Sequence, residues 1–457
     1  MMCLSRLLWL FVGVVLLQAG CSTKETEKHK APRIASVLAT TTLLATVAED
    51  DQPQSLTPPS GLGIHPSPAT MFQFIFSEQG GGVAYVVQRN GKSHVVHNGM
   101  SGKEYKTVGD VSLSPDGKRI AYGALVDGKW RMVVDGKEGA PFSTVRLPQF
   151  SPDGLHVAYQ AMSEDKWYLV IDTKSNSGTD KRYLRHEFSG DSSRIAYIDD
   201  VDDSNRGRLV VCDLSFNNQV VVANSVSSML TNVDKSRIAA VVASDNSQMV
   251  IDFSFDRPES SKKGAVYDTV QNISFGPDDR TLAYNAMRAG KPLMFFNGRE
   301  MSLPDGVMAG VPVIHPDKKS VGSLMFSNGA AFMQEMPNGK KEVAFESADS
   351  LVYSTDGRSH AYTAQKGENW FVVVNGNEGP VFDRVVTPKF SPDSKFLVYR
   401  ARKSGRRFVV AADTNGKTIK TFPEYEQVFD VQFTSDGKSV AYGVKDGKKL
   451  IWKVDAL

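Results

Sequence analysis

From about residue 70 onward the chain repeats one phrase of apolar and polar positions. A short apolar run enters a turn that holds an aspartate, and a second apolar run follows, ending in Ala-Tyr or a near equivalent. Clear copies are Leu113-Ser114-Pro115-Asp116-Gly117 leading to Ala121-Tyr122, and Phe150-Ser151-Pro152-Asp153-Gly154 leading to Ala158-Tyr159. Apolar runs this short, bounded by turn residues, predict strands. The turn aspartates Asp116, Asp153, Asp191, Asp234, Asp278, Asp317, Asp356, Asp393 and Asp436 recur at intervals of 37 to 44 residues. An earlier copy, Phe76-Ser77-Glu78-Gln79-Gly80 leading to Ala84-Tyr85, lacks the aspartate and brings the count to ten.

The rest of each unit reads as further strands. In the second repeat they are Arg119 to Leu125, Trp130 to Val134 and Pro141 to Val145, separated by Asp127-Gly128 and Asp135-Gly136. The chain holds fifteen Asn-Gly or Asp-Gly pairs, the strongest short-range hairpin signal. Four antiparallel strands in about 40 residues make a propeller blade. The expected fold is therefore all-β, a β-propeller of about ten four-stranded repeats. Propellers usually have four to eight blades, so one wide ring, two rings of five and a smaller ring with decayed units all stay open. The last repeat ends before a fourth strand, and an N-terminal segment is expected to supply it and remove a bare sheet edge.

A second regularity marks the frame of the blade. Residues Asn369 to Asp393 match Lys129 to Asp153 without a gap, 240 residues apart. A Gly-x-x-aromatic piece returns at Gly264-Ala265-Val266-Tyr267. Residues repeated in this way, including Trp130, Trp370, Glu138 and Glu378, read as structural.

On these residues the chain resembles the TolB-type, WD-like β-propeller repeat family, whose units carry the same apolar–Ser-Pro-Asp-Gly–Ile-Ala-Tyr phrase. The resemblance spans Met71 to Leu457 and implies a fold, not a function. TolB-type proteins that work in the Tol–Pal system carry a mixed α/β domain ahead of the propeller. Only a tether-like segment stands there in this chain, so that role is not implied.

The N-terminus adds an address. Arg6 precedes the apolar run Leu7 to Leu17, which is too short to span a bilayer but suits a signal peptide. Gln18-Ala19-Gly20-Cys21 resembles the bacterial lipobox, with Gln18 where an aliphatic residue is usual, and this marks Cys21 as a lipidation site. The expected division is residues 1–20 signal peptide, 21–69 flexible tether rich in charge, Pro and Ser, and 70–457 propeller. Arg33 to Val47 is more apolar and could dock on the domain. The expected location is the cell envelope, with outer-membrane attachment favoured. Secretion without an anchor is the alternative.

Charge and chemistry narrow the function classes. The whole chain has 53 basic and 51 acidic residues, too balanced to steer nucleic acid. Hydrolase elbow, zinc and phosphate-loop motifs are absent from the sequence. No catalytic residue, cofactor or metal ligand is assigned. Cys212, inside an apolar run, reads as a small hydrophobe. The irregular hairpins between second and third strands are the candidate binding loops: Asp199, Asp200, Asp202 and Asp203 in the fourth repeat, and Arg402, Lys403, Arg406 and Arg407 in the ninth. Their expected partner is an envelope protein, peptidoglycan or another glycan. A lyase-like, polysaccharide-active site in the channel is the alternative.

Overall fold

The computed structural model describes residues 34, 39–56, 73–337 and 339–457. The signal segment and Cys21 lie outside them. Among the described residues every regular element is a β-strand. They form nine antiparallel sheets, and the seven-stranded one is two blades joined through the long strand Val220–Thr231. The first part of that strand pairs with Gly207–Asp213 and the second with Arg237–Ala243. The protein is thus a β-propeller of ten blades, in the order of the ten sequence repeats.

The ring closes once. A separate apolar cluster fills each gap between consecutive blades. The tenth gap, between last and first blades, packs Phe74, Val83 and Tyr85 against Leu450, Ala45 and Val47. Two rings of five would instead put the first blade against the fifth. Phe76 seals the seam further by stacking near Phe429 and Trp452, at centroid distances of 4.6 and 6.4 Å.

The fourth strand of the last blade is Thr40–Thr46, antiparallel to Lys449–Ala456. The chain continues across the first blade, where Pro53 bridges Val87 and Asp51 pairs with Arg89 at 2.7 Å. Ile34 is also buried, against Ala441, Trp452 and Val454. This corrects the expected tether of 21–69: residues 39–56 belong to the folded ring, because their apolar side chains cover the seam that the last repeat leaves open.

The repeated residues do structural work that the turn motif alone does not reveal. In Ser-Pro-Asp-Gly the serine is buried, donates to the aspartate (Ser114 Oγ to Asp116 Oδ1, 2.7 Å) and accepts the Arg119 N–H at 3.0 Å. Neighbouring turns are stitched together, as where Asp153 N–H donates to Ser192 Oγ of the next blade at 3.1 Å. In several blades the tyrosine of the Ala-Tyr or Val-Tyr pair meets an aromatic from the preceding blade's outer segment: Tyr105 with Tyr122, Phe142 with Tyr159, Phe382 with Tyr399, with centroids 6.1 to 6.4 Å apart. The glycine of Gly-x-x-aromatic permits that approach. A Cβ on Gly102 would sit 3.2 Å from Val95 O and 3.4 Å from the Tyr122 hydroxyl. Asn-Gly and Asp-Gly turns such as Asn98-Gly99 have φ of +50° and +77°, the type I′ geometry that suits the twist of paired strands.

Candidate functional site

Four-stranded blades place two sets of connections on opposite faces of the disc. The Ser-Pro-Asp-Gly turns and the third-to-fourth turns, such as Asn98-Gly99 and Asp135-Gly136, occupy one face. The second-to-third hairpins and the links between blades occupy the other. The candidate loops all belong to this second, hairpin face.

In the fourth blade the acidic tip is neutralised from within. Asp199 is 1% exposed and takes both oxygens to Arg208, at 2.9 Å each. It is therefore a strut of the hairpin and not a contact surface. Asp200 sits at the bend with φ +52°. Asp202 accepts the Arg206 N–H at 2.9 Å, and Arg206 reaches on to Asp245 of the next blade at 2.8 Å. Bonds to the Arg206 backbone and its charge hold the Asp202 carboxyl below the usual carboxylate range. Asp203 alone is exposed without a partner among the described residues.

In the ninth blade the basic tip divides. Arg406 donates to Glu424 O at 3.1 Å and lies 3.8 Å from Asp446; Arg407 donates to Glu426 O at 2.5 Å. Both are committed to the segment leading into the tenth blade. Arg402 and Lys403 are exposed and have no side-chain partner among the described residues. The fourth and ninth blades stand five apart in a ring of ten, so acidic and basic tips lie across the disc and form no single site.

The hairpin face carries a cleft of about 420 Å³ between the third and fourth blades, lined by Trp167, Lys181, Arg182, Val201, Asp202 and Asp203. Each wall is fixed by backbone bonds. Trp167 and Thr179 exchange N–H···O bonds of 2.8 Å, Thr179 Oγ1 accepts the Lys181 N–H at 3.1 Å, and Val201 N–H donates to Arg182 O at 3.1 Å. The Arg182 guanidinium donates to Asn205 Oδ1. Behind the indole, Arg146 lies 4.4 Å from the Trp167 ring centre and donates to Gln160 Oε1 at 2.9 Å and Tyr183 O at 3.0 Å. Burial, followed by the repulsion of Arg182, holds the Arg146 pKa below its ordinary value. Among the described residues, the Lys181 and Arg182 side chains have no carboxylate partner, and Arg146 has the attraction of Asp110 without a direct ion pair.

Below this cleft the seam between the two blades is unusually polar. Gln160 and His186 are buried, and Gln160 Nε2 and His186 Nδ1 lack hydrogen-bond partners. Burial is the main cause that pulls His186 down to about 4, so the imidazole is neutral near pH 7. Glu187, 2% exposed, would be raised by burial, yet Lys235 and Arg185 outweigh that and hold it ionised. Gln149 Nε2 donates to Glu187 Oε2 at 3.1 Å and ties the two first strands together.

Sequence reasoning passed over these residues. Gln160 occupies the position just after Ala-Tyr, which faces a bulge in the first strand. Arg400, Asn285 and Thr363 hold that position in other blades and bond the same bulge region, as Asn285 Nδ2 does with Gly310 O at 2.8 Å. A glycine occupies it at Gly123 and Gly443, so blade-to-blade change at this one slot was the available signal. Trp167 shares its slot with Trp130 and Trp370. Trp130 covers Gly109 and Gly123, and Trp370 is buried beneath Arg384. Trp167 instead borders open space, because Lys181 and Arg182 stand beside it.

The remaining titratable groups are dispersed. His97 bonds Gly117 O, His156 pairs with Asp172, His315 bonds Gly357 O and His360 pairs with Glu342, at 2.8 to 2.9 Å. Among the described residues no group of three His, Cys, Asp or Glu is placed to hold a metal ion. Burial pushes the Cys212 thiol up to about 12. No helix among the described residues is long and apolar enough to cross a membrane.

No family model matches the chain, and no curated protein matches it. Solved structures similar to it include a eukaryotic initiation factor at 12% identity, covering 76% of this chain and 96% of that one with a TM-score of 0.46. TolB from Acinetobacter baumannii is 15% identical over 67% of this chain and 78% of its own, with a TM-score of 0.29. The β-propeller domain of the Trilobed protease from Pyrococcus furiosus is 12% identical over 60% and 95%, with a TM-score of 0.35. At these identities the likeness concerns the fold alone.

Proposed function

We propose that this protein is a non-catalytic scaffold of the bacterial cell envelope, anchored by lipid on Cys21 and offering its hairpin face to a protein, peptidoglycan or other glycan partner. The observation that carries the reading is the contrast between faces. The turn face is closed by its own Ser–Asp and blade-to-blade bonds. The hairpins vary in length and charge from blade to blade, and on their face the Lys181, Arg402, Lys403 and Asp203 side chains are unpaired among the described residues. Function commonly sits on loops that a rigid frame positions.

The entry of the N-terminal chain fits this reading. Ile34 O accepts the Ser435 N–H at 2.9 Å, on the last blade's Thr434-Ser435-Asp436 turn. Ile34 thus meets the disc at the turn face, opposite the candidate docking loops. Twelve residues separate Cys21 from Ile34, a reach of at most roughly 45 Å when fully extended. Lipid on Cys21 stabilises membrane attachment by about 0.8 kcal/mol per buried methylene.

Two measurements test the reading. Cys21→Ser should abolish incorporation of a palmitate analogue and shift the protein to the soluble fraction; equal labelling of the variant refutes the anchor. Cross-linking in intact envelopes should capture one partner that is lost on replacing Arg402 and Lys403 or Lys181 and Arg182 with Gln. Retention by both pairs, with loss on Lys118→Gln/Lys438→Gln at the turn face, refutes the docking face.

A further inference from the structure

We propose that the cleft between the third and fourth blades is a subsite for a carboxylate-bearing saccharide. The proposal rests on the reading of the hairpin face as the docking face and deepens it. Three features of the cleft meet the three parts of such a sugar. Trp167 supplies an aromatic surface against which the C–H face of a pyranose packs. Lys181 and Arg182 supply two cations without carboxylate partners among the described residues, beside the hairpin that carries Val201, Asp202 and Asp203. Asp203, exposed and unpaired, is an acceptor for a sugar hydroxyl.

The charge pattern selects this ligand class over others. A guanidinium recognises a carboxylate through paired donors, and Arg182 is already oriented by Asn205 and by its backbone bond to Val201. Arg146, 4.4 Å from the indole ring centre, adds positive potential that Asp110 offsets only from a distance. Burial chiefly, and then the repulsion of Arg182, lowers the Arg146 pKa, so the two guanidinium groups repel each other. A neutral glycan leaves that repulsion in place. A polyacidic peptide has no flat C–H face for Trp167. The 420 Å³ volume suits one or two sugar rings.

The walls are preorganised, so little ordering accompanies binding. Trp167 and Thr179 are locked in a reciprocal bridge, and the Asp202–Arg206 bonds fix the opposite rim. Lys181 is exposed and Arg182 half-buried, so both can be replaced without opening the core.

The test is calorimetric titration of the full-length protein in detergent with a short oligogalacturonate, a neutral oligosaccharide of equal length and a short oligoglutamate. The acidic saccharide should bind saturably, and the other two at least roughly tenfold more weakly. Lys181→Gln/Arg182→Gln and Trp167→Leu should each weaken it by roughly tenfold or more with unchanged melting temperature. Lys118→Gln/Lys438→Gln, at the turn face, should leave it unaltered. Added salt should weaken binding, as for an exposed ion pair. Absence of saturable binding overturns the proposal, as do equal affinities in the cleft variants. Oligoglutamate binding as tightly through the same residues would make the cleft a peptide site and also overturn it. The envelope capture experiment is read separately. Capture that survives the cleft variants while no saccharide binds sinks this proposal and leaves the docking reading standing. Saccharide binding without any captured partner has the opposite meaning.

Discussion

Thr42 and Trp452 lie opposite one another across the sheet of the last blade, the point where the two ends of the chain are joined. Their pairing makes the ring a closed circuit, and it depends on a strand of seven residues. Deleting residues 1–47 removes Ala45, Val47 and half-buried Leu44 from the seam, roughly 3–5 kcal/mol of apolar burial. It also bares Lys449–Ala456 as an open edge. Chemical denaturation should show a lower midpoint, and size-exclusion chromatography should show concentration-dependent association. A monomer with an unchanged midpoint would mean that the clasp is dispensable.

The aromatic contacts between blades predict a different sensitivity. Tyr399 is 2% exposed and meets Phe382 edge-on at 6.1 Å. Tyr399→Ala should cost about 3–5 kcal/mol, the usual range for emptying a buried aromatic site. Gly102→Ala puts a methyl 3.2 Å from Val95 O and should cost about 1–2 kcal/mol through local strain. Urea titration of both variants checks the order.

Within the acidic hairpin, neighbouring aspartates should behave oppositely. Asp199→Ala breaks a bidentate pair to Arg208 and should destabilise by about 2 kcal/mol, since bonds to charged groups contribute about 1.5–3 kcal/mol. Asp203→Ala should fall within about 0.5 kcal/mol of the wild type, as exposed substitutions do. Equal effects in thermal melts would contradict the structural assignment of Asp199.

Acid should destabilise the domain in two steps. His186 falls to about 4 when folded, against about 6.5 in an unfolded chain. The unfolded chain then binds the extra proton, so stability is full above about 6.5 and is lost as pH falls towards 4. The turn carboxylates follow at lower pH. Asp116 and Asp393, bonded first to Ser114 and Ser391, are held below the ordinary value. Their stabilisation is present above about 3.9 and disappears as pH drops through the folded pKa. The urea midpoint should fall between pH 7 and pH 4.5, and His186→Gln should flatten that interval. A slope that survives the substitution assigns the effect to another group.

The repeat, the strand order within a unit and the all-β class were legible in the sequence because they rest on local chemistry. Ser-Pro-Asp-Gly turns, Asn-Gly hairpins and alternating apolar runs act over fewer than about ten residues, and each blade obeys them on its own. The candidate loops were legible only as irregularity. Whether Asp199 points outward or into a bidentate pair depends on Arg208, which the register of the hairpin brings opposite it.

What the sequence by itself determined, then, is the blade and its tenfold repetition. Only the tertiary structure decided that ten blades close in one ring, since closure depends on how Phe74, Phe76 and Phe429 pack across a seam between distant parts of the chain. It also decided that Thr40–Thr46 completes the last sheet, and that Trp167 borders a cleft where Trp370, in the same slot, is buried. Each of these rests on contacts between residues remote in sequence, whose energies belong to packing and mutual burial and leave no periodic trace along the chain.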